Sequence, residues 1–111
     1  DMSHMTCVAN DFGFEHIFER QLRGLGRKGD CLVLISTIGN SKNQLLAAEA
    51  AKEIGMSTVG LLGRTGGALK DKVDLALVVP GETSDRIQEV HIKLIHNVIE
   101  TAERQLFPEL Y

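Results

Sequence analysis

Helical periodicity marks three segments of this chain. Apolar residues at positions 14, 17, 18, 22 and 25 recur at the spacing of one helix face, so a helix is predicted over 14–25, ending near Gly24 and Gly26. The Ala-rich segment 41–54 predicts a second helix, stopped by Gly55. A long third helix is predicted over 84–107, where Pro108 closes it.

Continuous apolar runs separate these helical segments. The runs at 32–35, 58–62 and 75–79 have the length of strands, and Pro80 ends the last of them. A Gly-rich turn and a short helix are predicted between the second and third strands, over 63–72. Strands joined by helical crossovers run parallel with helices against them, and an unbroken apolar run is typical of a sheet covered on both faces.

Three strands make an incomplete α/β sheet. One edge and part of both faces stay uncovered, so the pattern predicts half of a doubly wound domain. Apolar residues surround much of the helix over 84–107, which predicts that it is buried, with another subunit as one possible cover. The 111 residues are enough for no more than one domain, and residues 1–111 are expected to form part of a single one.

Composition narrows the classes of function. With 12 basic and 15 acidic residues the formal net charge is −3, and no basic run marks a nucleic-acid or anionic membrane partner. The apolar runs are too short to cross a bilayer, which favours a cytoplasmic protein. Cys31 opens an apolar run and is expected to be buried in a strand. Cys7 and Cys31 are expected to be free thiols.

The segment Ser36-Thr37-Ile38-Gly39-Asn40-Ser41 lies between a predicted strand and a helix start. Ligands of open α/β sheets bind at the carboxyl ends of strands, and a helix N-terminus offers unpaired N–H groups to an anion. Hydroxyls and a glycine at this place fit a phosphate. The alternative is a capping box, in which Ser41 caps the helix and Gln44 completes the box. A phosphate site and a capping box are compatible with each other.

Five segments of the chain, at 1–4, 8–14, 31–41, 63–67 and 85–96, are similar in one register to a known family. On these segments the chain resembles the C-terminal portion of bacterial phosphoheptose isomerases of the SIS (sugar isomerase) fold. The resemblance implies a flavodoxin-like three-layer αβα architecture with a parallel sheet. It also implies a missing upstream part that carries a Gly-Asn-Gly-Gly-Ser loop and further site residues.

The resemblance assigns phosphate binding to the hydroxyls of Ser36, Thr37 and Ser41. Ile38 departs from the family's common serine, so one hydroxyl is lost there. Asn10 and Asp11 also match the family near its substrate site, as do Asp85 and Gln88. From the residues alone, Asp85 caps the last helix with Gln88 as its box partner, and Asp11 suits a turn before Gly13.

Gln88 and His96 interrupt the apolar last helix about 80° apart around its axis. Spacing alone favours hydrogen-bonded histidines over metal ligands. The resemblance implies that Gln88 and His96 join upstream residues to bind zinc, and that His96 is a catalytic acid/base. A nitrogen bonded to zinc cannot carry the proton, so the exact role of His96 stays open. His91 is predicted to be structural.

The function implied by the resemblance is an aldose–ketose isomerase. It would convert sedoheptulose 7-phosphate to D-glycero-D-manno-heptose 7-phosphate for cell-surface glycan synthesis, as a homotetramer with active sites at subunit interfaces. Two alternatives share the fold: a replication-initiator-associating protein and a sugar-phosphate-sensing regulator. The first carries Asn at the position of His96, so His96 favours the enzyme.

Overall fold

The computed structural model describes residues 1–111 and confirms the α/β class. Four α-helices and three strands follow one another along the chain, with three short 3₁₀ turns at 14–16, 68–71 and 108–110. The elements are α1 Met2–Asp11, α2 Ile17–Leu25, β1 Cys31–Ser36, α3 Lys42–Ile54, β2 Ser57–Gly63, β3 Leu75–Val79 and α4 Ser84–Leu106. No helix combines the length and the apolar character that crossing a membrane requires.

The predicted elements are confirmed to within a few residues, and one helix was missed. α3 ends as expected at Gly55, whose left-handed backbone conformation (φ 89°) terminates the helix. α1 was missed because its sequence has no strong apolar stripe, and the helix buries only Val8. Its start is stabilised by the Asp1 carboxylate, which accepts a hydrogen bond from the Ser3 N–H over 2.9 Å.

The sheet is parallel throughout, in the order β1-β2-β3. α3 packs on one face through Ala47 and Ala48, whose small side chains let the helix approach Leu34 and Leu62 of the sheet. α4 packs on β2 and β3, where Ile87 and His91 are buried. Helices therefore lie on both faces of the sheet, as the sequence predicted.

The sheet is uncovered at β1. Val33 and Ile35 stay 49% and 44% exposed, and Cys31 is exposed as well. The expectations of a strand covered on both faces and of a buried Cys31 are wrong, because α4 lies over β2 and β3 and no helix of this chain covers that face of β1. The predicted open edge and the unpaired thiols are confirmed.

α4 is less buried within this chain than its apolar composition suggested. Only Ile87 and His91 are buried along its 23 residues. The remaining large apolar side chains on it are partly or largely exposed, among them Val90, Ile92, Val98 and Ile99. An exposed apolar helix surface of this kind is typical of a protein–protein contact.

Candidate phosphate-binding site

The segment from Ser36 to Ser41, here called the anion loop, connects the carboxyl end of β1 to the start of α3. Ser36 is buried, and its hydroxyl oxygen accepts a hydrogen bond from the Gly39 N–H over 2.9 Å. Gly39 has φ 76°, a conformation that favours glycine. Ser36 therefore shapes the loop from inside.

A second loop at the carboxyl end of β2 holds the anion loop in place. The Leu69 N–H donates to the Gly39 carbonyl, and the Ala68 N–H donates to Asn40 Oδ1, each over 2.9 Å. A Cβ atom on Gly39 would collide with the Gly66 carbonyl oxygen. Asn40 was not predicted as a site residue, since its partner comes from another loop and leaves no local sequence signal.

Several backbone N–H groups of this region make no hydrogen bond within the chain. Four N–H groups at the start of any α-helix lack intrahelical acceptors, and here the α3 ladder begins with the Gln44 and Leu45 N–H groups donating to the Ser41 carbonyl. Among the unbonded groups are those of Ile38, Asn40, Ser41, Lys42 and Asn43. An anion at this helix start would be met by these donors and by the positive end of the helix dipole.

The capping box predicted for α3 does not form. Ser41 occupies the N-cap position by its backbone, but its side chain makes no capping hydrogen bond. Gln44 is engaged elsewhere, because its Nε2 donates to the Ile35 carbonyl over 2.7 Å. The exposed Ser41 hydroxyl is consequently left without a partner in the chain.

The anion loop also contacts the start of α4. The hydroxyls of Thr37 and Ser84 are hydrogen-bonded over 3.0 Å. At the same place a Cβ atom on Gly63 would lie 2.7 Å from both the Thr37 carbonyl oxygen and the Ile87 side chain, so only glycine fits this junction. Like Asn40, Ser84 was not predicted as a site residue.

Asp85 lies in the first turn of α4, fully exposed. Thr83 is the N-cap residue of this helix, so the capping box expected from Asp85 and Gln88 is wrong. The neighbouring Thr83 hydroxyl and then the Arg86 backbone N–H lower the pKa of Asp85 below its ordinary value. Its carboxylate is therefore ionised beside the junction of the anion loop and α4.

Asn10 and Asp11 are not brought into hydrogen-bonding contact with the anion loop. Asn10 Nδ2 donates to Asp11 Oδ1 over 2.9 Å, and the Cys7 thiol lies 3.7 Å from Asp11 Oδ2. Asp11 is the last residue of α1, and Gly13 follows with φ 106°. Asp11 therefore lies before a turn, as predicted. Their assignment to the substrate site stays a prediction.

Gln88 and His96 are exposed and have no hydrogen-bond partner in the chain. Both lie off the stripe of α4 that faces the sheet, whereas His91 is buried on that stripe, as its predicted structural role requires. No group of three or more His, Cys, Asp or Glu side chains lies close enough to hold a metal ion. Zinc needs at least three protein ligands, so this chain alone does not fit the ion.

Comparison with known proteins places this geometry in a family. A model of the SIS domain family matches residues 1–63, more than half of the chain. The chain belongs to the SIS domain family. The matched part of this SIS domain includes β1, the anion loop, α3 and β2.

The chain is similar to several phosphoheptose isomerases. It is 52% identical over 111 residues to the one from Fusobacterium nucleatum and 51% identical over 104 residues to one from Helicobacter pylori. These alignments cover 100% and 94% of this chain but 57% and 54% of the relatives. The chain thus spans about half the length of the curated relatives it matches.

Solved structures agree with the sequence comparison. A phosphoheptose isomerase from Neisseria gonorrhoeae matches with a TM-score of 0.89 and 46% identity, over 91% of this chain and 57% of that one. One from Francisella tularensis matches with a TM-score of 0.87 and 37% identity, over 90% and 54% of the two chains. The predicted SIS fold and the resemblance to this group are confirmed.

Proposed function

We propose that this chain forms the phosphate-binding, C-terminal portion of an aldose–ketose isomerase. Its substrate would be sedoheptulose 7-phosphate and its product D-glycero-D-manno-heptose 7-phosphate, for heptose and cell-surface glycan synthesis. The observation that carries the proposal is the set of unbonded N–H groups, with the free Ser41 hydroxyl, at the start of α3. The similarity to phosphoheptose isomerases over the whole chain supports the choice of sugar.

The anion loop would hold the phosphate. Its unbonded N–H groups and the Ser41 hydroxyl can donate to phosphate oxygens without breaking any hydrogen bond inside the protein. Ser36 shapes the loop from within, and its hydroxyl proton remains available to the ligand. The side chain of Ile38, exposed at 45%, offers no hydrogen bond, so backbone donors and the remaining hydroxyls carry the affinity.

Isomerisation moves one proton between carbons and one between oxygens. A carboxylate outside this chain would take the proton from the carbon beside the carbonyl and return it to the neighbouring carbon. His96 would carry the second proton between the two oxygens. Its exposed imidazole makes no hydrogen bond within the chain that would occupy either ring nitrogen. Asp11, Asn10, Asp85 and Gln88 are proposed to orient the sugar.

Zinc is part of the proposal only with ligands from outside this chain. Gln88 and His96 would provide an amide oxygen and an imidazole nitrogen, two of the ligands that a zinc site needs. When bound, zinc would supply Lewis-acid polarisation of the sugar oxygens. His96 as a ligand would retain one ring nitrogen for hydrogen bonding.

The proposed assembly is a homotetramer in the cytoplasm. The exposed apolar residues of α4, including Val98 and Ile99, support a contact with another subunit on this helix. A site between subunits would let residues of a second copy reach Gln88 and His96, which face away from their own sheet.

Turnover of sedoheptulose 7-phosphate by the intact purified protein tests this proposal. Formation of the aldose is followed by chromatography, before and after removal of metal with a chelator and after zinc is restored. Turnover lost on chelation and recovered with zinc supports both the isomerase and the metal. Turnover unaffected by the chelator removes zinc from the proposal, and a protein that binds the sugar phosphate without converting it is a sensor or an interaction protein.

A further inference from the structure

We propose that Ser84 is a positioning residue of the phosphate site, holding the Thr37 hydroxyl and joining the anion loop to α4. This inference rests on the proposed phosphate site and adds to it a residue from a different part of the chain. Ser84 is 47 positions away from Thr37, so their contact exists only in the folded domain.

The contact between the two hydroxyls is specific and half-buried. Their oxygens lie 3.0 Å apart, at the upper end of the range for a hydrogen bond between hydroxyls. Gly63 fixes the approach of the two segments, because a Cβ atom there would lie 2.7 Å from the Thr37 carbonyl oxygen and 2.7 Å from Ile87. Three elements thus meet at this point: the carboxyl end of β1, the end of β2 and the first turn of α4.

The number of hydrogen bonds that a hydroxyl can donate and accept explains the role of Ser84. Each hydroxyl has one proton to donate and two lone pairs to accept. In the Thr37–Ser84 pair one proton is shared, and the hydroxyl that accepts it keeps its own proton for another acceptor. When Ser84 donates to Thr37, the orientation of the Thr37 hydroxyl is restricted and its proton is free for a phosphate oxygen. The bond that the Thr37 oxygen accepts polarises this proton.

The same contact links phosphate binding to the helix that carries the proposed catalytic residue. Ser84 is the first residue of α4, and Gln88 and His96 follow one and more than three turns later on the same rigid helix. Ordering Thr37 on a bound phosphate therefore favours the position of α4 seen here. Ser84 acts through Thr37 and through α4, without being required to touch the reacting atoms.

The test is a double-mutant cycle on phosphate affinity in the intact protein. The dissociation constants of inorganic phosphate and sedoheptulose 7-phosphate are measured by calorimetry for Ser84→Ala, Thr37→Val and the double variant. We expect each single variant to weaken phosphate binding about fivefold, the size of one lost hydrogen bond, with little further loss in the double variant. Ser84→Thr keeps the hydroxyl and should restore wild-type affinity.

Thr58→Val is the matched control, because the Thr58 hydroxyl makes an equally specific bond to Asp74 over 3.1 Å, at the amino end of β2. Its loss should lower the melting temperature and leave phosphate affinity unchanged. Unchanged affinity in Ser84→Ala, or fully additive losses in the double variant, would overturn the role of Ser84. Affinity is measured apart from turnover. A wild-type protein that binds phosphate without isomerising the sugar would therefore refute the proposed isomerase activity, while the double-mutant cycle would still test the role of Ser84. A wild-type protein that does not bind phosphate would refute both the proposed isomerase and the role of Ser84.

Discussion

His91 Nε2 donates a hydrogen bond to the Leu62 carbonyl oxygen over 2.8 Å, joining the N-terminal half of α4 to the central strand of the sheet. The imidazole is 2% exposed, and its Nδ1 atom is buried without a partner. One bond and the packing of the ring therefore hold α4 at this point. The position of α4 matters for function, because the same helix carries Ser84, Gln88 and His96.

Replacing His91 should cost stability. His91→Ala leaves a cavity and removes the hydrogen bond to the Leu62 carbonyl, so we expect the free energy of unfolding to fall by about 2–4 kcal/mol. His91→Gln keeps a donor and should lose less. Denaturant unfolding of both variants measures the difference. Equal losses for the two variants would show that the hydrogen bond contributes little beyond the volume of the ring.

Ser41 should affect binding without affecting stability. A serine that caps a helix costs about 1 kcal/mol when replaced by alanine, but the Ser41 hydroxyl makes no such bond. We therefore expect Ser41→Ala to leave the melting temperature within error and to weaken phosphate binding several-fold. Ser57→Ala, at the opposite end of the sheet, should change neither. A clear loss of stability in Ser41→Ala would mean that the hydroxyl does cap α3 in solution.

Two glycine-to-alanine substitutions should have opposite effects. Gly39→Ala places a Cβ against the Gly66 carbonyl at a positive φ, so we expect a loss of more than about 1 kcal/mol and of phosphate binding. Gly24→Ala, in α2, meets no atom within 4 Å and should stabilise the helix by up to about 1 kcal/mol. Thermal unfolding and phosphate titration test both. A neutral Gly39→Ala would contradict the close contact between the two loops.

His96 should be needed for turnover and dispensable for folding. It is exposed and unbonded, so His96→Asn is expected to keep the wild-type melting temperature while kcat falls by at least about 100-fold. Asn97→Ala, at the next position of α4 and also exposed, is the control and should retain activity. Phosphate affinity should be unchanged in both variants. Full turnover in His96→Asn would remove His96 from the mechanism.

Glu19 should contribute stability that disappears in acid. Its carboxylate accepts from His16 Nδ1 over 2.7 Å and from Arg23 Nε over 2.9 Å, and these two bonds lower the pKa of Glu19 below 4.5. A lowered folded-state pKa means that the ionised form is the one favoured by folding, so the stabilisation is present above pH 4.5 and is lost as the pH falls through the folded value.

The comparison of Glu19→Gln with wild type across pH measures this contribution. We expect Glu19→Gln to be less stable at pH 7 by up to about 1 kcal/mol, with the gap closing below pH 4.5. Glu109→Gln, at an exposed C-terminal position without an ion pair, should show no such gap. A difference that persists unchanged at pH 3 would assign the effect to packing rather than charge.

Local periodicity was sufficient to locate most of the secondary structure. The strand over 75–79 was predicted with its exact bounds, and Gly55 was correctly placed at the end of α3, because strand runs and helix stops depend on residues close together in the chain. α1 was missed, since it buries only Val8 and so carries little amphipathic signal. The capping box predicted for α3 was wrong because Gln44 donates to the Ile35 carbonyl of β1, and the one predicted for α4 was wrong because Thr83 is the N-cap residue.

The sequence by itself determined the parallel α/β arrangement and the anion loop, because hydrophobic runs, turn glycines and hydroxyls after a strand act over a few neighbouring residues. Only the tertiary structure decided which polar groups are free. The hydroxyls of Ser36, Thr37 and Ser41 look alike in sequence, yet one bonds within its own loop, one reaches Ser84 and one has no partner. The Thr37–Ser84 contact depends on how β1, β2 and α4 meet, and a contact between such distant segments leaves no local pattern.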